Sequence, residues 1–409
     1  MPQGGSLSQN PRGASLKIDL PIPDADESAH SAALALLIRN EITAHGAIPF
    51  SRYMELCLYA PGLGYYSAGK TKFGAAGDFV TAPELGDLFA RCVAGTLAPA
   101  LQECGDTADF VELGGGSGRF AVAALRELAT QDALPHRYRI LEPSADLRER
   151  QRVHVVESLP HEIAARVEWI DRPPESPWNG VLFANEVLDA LPTTRFAING
   201  GNVYEECITL GRDDAGFVRE DRPADALVGA AVRHVERYLE AEFVDGYRSE
   251  ILPQLPYWMP AVIGSMERGV ALFVDYGYPR SEFYLPERND GTLVCHYRHR
   301  AHADPLFRPG LQDITAFVDF TAVAEAGTGA GFELVGYAPQ SQFLLASGLP
   351  ALLEAAADLG EVERMSIIAE AKRLTLPGEM GERFQAIAFS RGVQDVPSGL
   401  RAFDLSRRL

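Results

Sequence analysis

The sequence contains no run of about 18 consecutive apolar residues, the length a helix needs to cross a bilayer, so no membrane span is expected. Cysteine is sparse: Cys57, Cys92, Cys104, Cys207 and Cys295 are scattered, odd in number and form no CxxC pair. A chain of 409 residues needs no disulfide framework, and these thiols point to a reducing compartment. Basic residues are short as well, with 37 Lys and Arg against 56 Asp and Glu, a net charge of −19. Nucleic acids and anionic membrane surfaces are held by basic patches, so the expected partner is neither of these but a neutral or basic molecule. The N-terminus has no apolar signal core, and Arg12 and Lys17 alone make a poor transit peptide. Cytoplasmic residence is expected for a bacterial source, the mitochondrial matrix only for a eukaryotic one. No GxSxG elbow, P-loop lysine or HExxH motif occurs. Against these absences stands an ordinary 46% of apolar residues, enough for a substantial core in one large or two ordinary domains.

One stretch organises the rest: Asp109-Phe-Val-Glu-Leu-Gly-Gly-Gly-Ser-Gly-Arg119. It reads as a buried strand, a glycine turn at Gly114, Gly115, Gly116 and Gly118, and a helix through Leu128. Glycines serve where the backbone turns sharply or a ligand comes close, and the free N–H groups of the new helix then face that ligand. Several nucleotide-binding folds share this pattern. Here Arg119 stands where the dinucleotide fingerprint wants its last glycine. Glu142, ending the next strand-like run, can accept bonds from both ribose hydroxyls. Glu112, inside the first strand, can take up an amino group over the loop. Together they favour S-adenosylmethionine, released as S-adenosylhomocysteine, over NAD or an empty relic loop.

Residues 1–26 are rich in Gly, Ser, Pro and Asp, and disorder is expected there. A helical segment with a covering loop follows over 27–105, its helices starting near Ser28 and, with Ser51 as cap, near residue 52. The glycine- and aromatic-rich stretch Pro61 to Glu84 reads either as a surface loop leading into a helix near Pro83 or as a wall of the cofactor pocket. Strands then alternate with helices over 106–194 and again over 266–395, which implies an α/β fold with a mostly parallel seven-stranded sheet. The last two strands are expected to form an antiparallel end. Between them, 195–265 reads as an inserted hairpin and helices (224–243 and 257–267) on the substrate side, and 396–409 as a tail.

Ligands of such sheets sit at the carboxyl ends of the strands. That rule gathers Glu142, Asp171, Asn185 and Glu186 around one crevice. Glu186 and Asp189 can bind a guanidinium or amine in bidentate fashion; the plainer reading has Asp189 capping a short helix and Glu186 exposed. Asp275-Tyr276-Gly277 is a second wall or a simple turn. In His296-Tyr-Arg-His-Arg-Ala-His302 the interleaved Arg298 and Arg300 oppose a metal, so no metal is expected, and His302 is the histidine expected to face the site.

Five motifs occur in order: Gly77-Asp-Phe-Val-Thr-Ala-Pro-Glu84, Glu112-Leu-Gly-Gly-Gly-Ser-Gly118, Asn185-Glu-Val-Leu-Asp-Ala-Leu-Pro192, Asp275-Tyr-Gly277, and the run from Asp304 through Asp313 to Phe320. In these the chain resembles the MidA family, bacterial relatives of the mitochondrial complex I assembly-factor methyltransferase, over roughly residues 30 to 390. The resemblance implies a class I Rossmann-like methyltransferase dependent on S-adenosylmethionine, with an N-terminal helical extension and an inserted subdomain. It implies that Gly114, Gly116, Gly118 and Glu142 hold the cofactor while Gly77, Asp78, Thr81, Pro83 and Glu84 close over it. The mitochondrial members methylate arginine in a complex I subunit, so the expected partner is an arginine-containing protein, a respiratory-chain subunit among the candidates. Gly115 and Ser117 depart from the Pro and Arg or Thr common in the family's glycine loop. An assembly protein with little catalysis and a small-molecule methyltransferase stay open, as does the oligomeric state, a homodimer included.

Overall fold

The computed structural model describes residues 20–67, 81–212 and 216–409. At its centre lie seven strands, labelled here β1 (Asp109–Leu113), β2 (Arg137–Leu141), β3 (Val167–Ile170), β4 (Trp178–Asn185), β5 (Met266–Tyr278), β6 (Glu333–Pro339) and β7 (Phe384–Arg391). Their spatial order is β3-β2-β1-β4-β5-β7-β6, with the short strand Val318–Asp319 also on β5. β1, most of β4 and the middle of β5 are buried almost throughout because helices cover both faces. One face packs on the helices Leu88–Cys104 and Arg119–Thr130, where Phe120 stacks on Phe183 at 4.3 Å. The other packs on Leu255–Ile263 and Phe320–Gly329.

Only β7 runs against the others. β5–β7 and β6–β7 are both antiparallel, so the last two strands form the expected antiparallel end, and β6 is parallel to β5. The helix Phe320–Gly329 makes an ordinary crossover from β5 to β6. The chain then loops through helices beyond the carboxyl end of β6 and re-enters at that edge as β7.

The segments flanking this sheet combine. Ile48–Pro49 pairs with Asn202–Leu210, which also pairs with Thr194–Asn199 and Phe217–Pro223. The hairpin turn is Gly200-Gly201, both at positive φ (56° and 73°), which only glycine tolerates freely. Leu34, Ile38, Phe50 and Tyr53 of the N-terminal helices form one core with Ile208 and Cys295. Order begins before residue 27: the helix Ala25–His45 carries a capping box, Asp24 accepting from the Glu27 N–H at 2.8 Å and Glu27 from that of Asp24 at 3.1 Å. Residues 1–19 lie outside the described residues. Ser51 is not a cap, since the helix Phe50–Tyr59 starts directly after Pro49, whose φ of −52° already suits a helix entry. The inserted helices run Ala226–Leu239 and Leu255–Ile263, ended by Glu240 in left-handed conformation and by Gly264. The histidine-rich run is itself a hairpin, Val294–Tyr297 with Arg300–His302, joined by Arg298 and His299 at positive φ and extended by Asp313–Thr315.

Candidate active site

The carboxyl ends of β1, β2, β4 and β5 open into a cavity of about 790 Å³. At one end lies the glycine turn. Gly116 has φ 52°, and a Cβ there would meet nothing within 4 Å, so this backbone is open to a ligand. A Cβ on Gly115 would come within 2.6 Å of Ile140, so the turn's underside is fully packed. Gln151, entirely buried, locks turn to strand end: its Nε2 donates to the Gly116 carbonyl (2.9 Å) and to Glu142 Oε2 (3.2 Å), and its Oε1 accepts from Trp169 (2.8 Å). Glu142 Oε1 accepts from the Ser144 N–H at 3.0 Å. This bonding fixes the carboxylate beside the turn. Glu112 accepts from the Tyr138 hydroxyl at 2.8 Å. Burial pushes its carboxyl up to about 8, with the Tyr138 bond working against that rise and the Glu142 charge adding to it.

At the other end the chain leaves β4 through Asn185 and Glu186. Glu186 sits at φ 53°, and its N–H bonds to the Val274 carbonyl at 3.0 Å. Asn185 Nδ2 donates to its carboxyl at 2.9 Å. Asp275 gathers the loop that follows: its Oδ2 accepts from the N–H groups of Val187 (3.2 Å), Leu188 (2.9 Å) and Asp189 (3.3 Å), and its Oδ1 from that of Tyr276 (2.9 Å). Burial, then the charge of Asp189, raises Glu186 to about 8. Asp189 itself is pushed up by burial to about 6, opposed by the Tyr276 hydroxyl. Crowded carboxyls cannot all ionise at once, and a bound cation would relieve them. Aromatic hydroxyls complete this end. Tyr59 donates to the Ala190 carbonyl (2.9 Å), Tyr66 donates to Asp313 (2.9 Å), and their rings stack at 5.6 Å. Tyr276 stands edge-on between Phe317 and Phe384.

The short helix Ala82–Leu85 bridges the two ends. Glu84 accepts from the Ser117 hydroxyl of the glycine turn, and the Ala82 N–H bonds to Glu186.

A family profile described as S-adenosyl-L-methionine-dependent methyltransferase matches residues 92–338. The mitochondrial protein arginine methyltransferase NDUFAF7 homologue of Drosophila melanogaster is 30% identical over 407 residues, covering 91% of this chain and 88% of its own. The human NDUFAF7 is 26% identical, covering 85% and 81%. A crystal structure of a COG1565 superfamily member from Burkholderia thailandensis, bound to S-adenosyl-homocysteine, is 41% identical with a TM-score of 0.88, covering 96% of this chain and all of that one. The chain belongs to this methyltransferase family. Its fold is the Rossmann-like one of that family, and its methyl donor is S-adenosylmethionine.

In this methyltransferase Thr81, Pro83, Glu84, Glu112, Gly114, Gly116 and Glu142 line the cavity around the glycine turn, and Asn185, Glu186, Asp189 and Tyr276 its other end. Gly118, at φ 85°, caps the helix Arg119–Thr130 below the turn. Gly77 and Asp78 lie outside the described residues. Three chosen residues are not brought to the cavity. Asp171 is 84% exposed and paired with Arg148 at 2.6 Å; Pro173 lines the cavity in its place. Asp275 spends its carboxylate on four backbone N–H groups and is a positioning residue. His302 is buried behind the hairpin, its ring against Phe307 and its Nδ1 accepting from the Asp304 N–H. Side chains alternate along a strand, so His296 and its cross-strand neighbour Ala301 face the cavity and His302 points away. Sequence reasoning missed Tyr59 and Phe317, and among the three histidines it chose His302 where His296 lines the cavity. Tyr66 and Asp313 stood within motifs that drew attention, without a role.

Proposed function

We propose that the methyl acceptor is the guanidinium of an arginine in a protein, held between Glu186 and Asp189. The observation that carries this reading is the far end of the cavity, where Glu186, Asp189 and Asp313 converge among Tyr59, Tyr66 and Tyr276. Paired carboxylates match the planar fork of a guanidinium, and aromatic faces favour a cation. The open Gly116 backbone and the buried Glu142 and Glu112 fit the nucleoside and amino group of the donor. Bound there, S-adenosylmethionine supplies a methyl group on a sulfonium. Glu186 and Asp189 orient the acceptor nitrogen along the line of transfer, and Glu186 accepts the proton released as the nitrogen–carbon bond forms and the sulfur–carbon bond breaks, its electron pair staying on the neutral thioether. No covalent nucleophile is required. The relatives named as protein arginine methyltransferases support the acceptor class, and the resemblance to the complex I assembly factor extends the reading to a respiratory-chain subunit.

The test is transfer of a labelled methyl group from S-adenosylmethionine into proteins of the source organism, followed by peptide mass spectrometry. Methylarginine in a discrete protein is expected. Label in lysine, or only in small molecules, overturns the arginine reading. Tight donor binding without any transfer favours the assembly-protein alternative.

A further inference from the structure

A second cavity of about 650 Å³ lies beside the first, and nothing in the chemistry above uses it. Its walls are apolar faces of three helices: Leu227 and Ala230 from Ala226–Leu239, Pro256 and Tyr257 from Leu255–Ile263, Ala322 and Ala326 from Phe320–Gly329. Leu227 is 46% exposed and Tyr257 67% exposed, large apolar side chains left uncovered on the surface. The polar groups beneath are already matched. Arg280, 1% exposed, donates to Asp319 at 3.0 Å and in bidentate fashion to Glu325 at 2.8 and 2.6 Å. What this cavity offers a ligand is therefore apolar surface, with the partly exposed Glu325 and His234 beside it.

The two cavities share a partition. Phe317 lines both, standing edge-on to Tyr276 at 5.0 Å on the acceptor side. The helix Leu255–Ile263 likewise turns Trp258 and Val262 into the acceptor cavity and Pro256 and Tyr257 into the second. The chain after Asp189 passes from one to the other, Leu191 lining the first and Thr193 the second. An extended peptide advances about 3.3 Å per residue, so a side chain two to four residues from the acceptor spans roughly 7–13 Å, enough to cross a partition one aromatic ring thick.

We infer that this second cavity is the docking site for an apolar side chain of the substrate protein, two to four residues from the methylated arginine. The inference rests on the arginine reading and adds to it a sequence preference. The acceptor end selects charge; the second cavity selects context. A long apolar residue such as Leu, Met or Phe fits, and the chain's net charge of −19 favours a basic peptide around it.

The test uses the full-length protein, labelled S-adenosylmethionine and a set of 13-residue peptides, each with one central arginine and one varied flanking position. Wild type should turn over peptides with Leu, Met or Phe at one fixed offset about tenfold better in kcat/KM than those with Ala there, the scale set by apolar-pocket discrimination. Ala230→Trp, which fills the cavity from an exposed helix position, should reduce that preference to within about twofold with donor affinity unchanged. Ala322→Phe fills it from the opposite wall and should do the same. Preference absent in wild type, or intact in both filled variants, overturns the inference while leaving the arginine reading standing. If no arginine peptide accepts label although the donor binds, the arginine reading fails and the inference falls with it. A wild-type dimer in sedimentation that Ala230→Trp dissociates assigns this face to a second copy of the chain, which also overturns it.

Discussion

The two ends of the active-site cavity are built in opposite ways. The donor end is a short piece of chain: β1, the turn after it and the start of the next helix, with Glu142 added one strand later and fixed by Gln151 and Ser144. Its turn and Glu142 are fixed in place before any ligand arrives, though Glu112 beneath them is pushed by burial as high as Glu186. The acceptor end is assembled from segments far apart in sequence, and the Tyr59–Ala190 bond alone spans 131 positions. There burial, then the charge of Asp189, drives Glu186 to about 8, and burial alone drives Asp189 to about 6. One end is a preformed cradle. The other is held out of balance until a cation enters it, which is how a site discriminates by charge.

Substitutions at the two ends should separate accordingly. The largest effect is expected from Glu186→Gln: loss of transfer by about 10²–10⁴-fold, the usual worth of a positioned base, with donor affinity unchanged. In wild type, kcat/KM should rise with pH through about 6 to 8, because only the ionised carboxyls at Asp189 and Glu186 hold a cation. The limb nearest 8 should vanish in the residual activity of the variant. Retained turnover or an unchanged profile would remove Glu186 from the chemistry. Next in size is Glu142→Ala, which should weaken donor binding by about 1–3 kcal/mol in a calorimetric titration while the acceptor preference stays as it was. Undiminished affinity would break the division of labour between the ends. The smallest effect concerns Glu112. Its carboxyl is raised from the ordinary value of 4.5 to about 8 in the folded protein. Between those values the native state holds a proton that the unfolded state has released, so stability falls as pH rises through this window. Glu112→Gln should flatten the fall in melting temperature of the ligand-free protein between about pH 5 and 8. An equally steep slope in the variant would show that Glu112 is ionised in the empty fold.

The same contrast decides what was legible in the sequence. The donor end could be read because each of its parts is local: glycine spacing, a strand's apolar run, Ser144 capping the helix beside Glu142. The alternation that predicts a parallel sheet is also local, and β1 to β5 follow from it. The antiparallel end was legible too, but not the insertion of β7 between β5 and β6, which depends on where the helices after β6 return the chain. At the acceptor end the choice between His296 and His302 turned on a two-residue turn at Arg298 and His299, both at positive φ without a glycine or asparagine to announce it. Asp171 has the composition of a rim carboxylate, but Arg148, a helix away, draws it outward. Tyr59 occupies a helix position indistinguishable in sequence from an ordinary core contact. Phe317 acquires its place as a partition only through the helices packed on either side.

The short helix that touches both the glycine turn and Glu186 has a consequence for how the two ligands bind. Glu84 and Ala82 stand two residues apart on one helical turn, so Ser117 and Glu186 are joined through a single short element. Donor and acceptor thus enter a thermodynamic square whose opposite sides must match: whatever factor the donor applies to acceptor affinity, the acceptor returns to the donor. The demethylated product lacks the sulfonium charge and so enters the same square with a different factor.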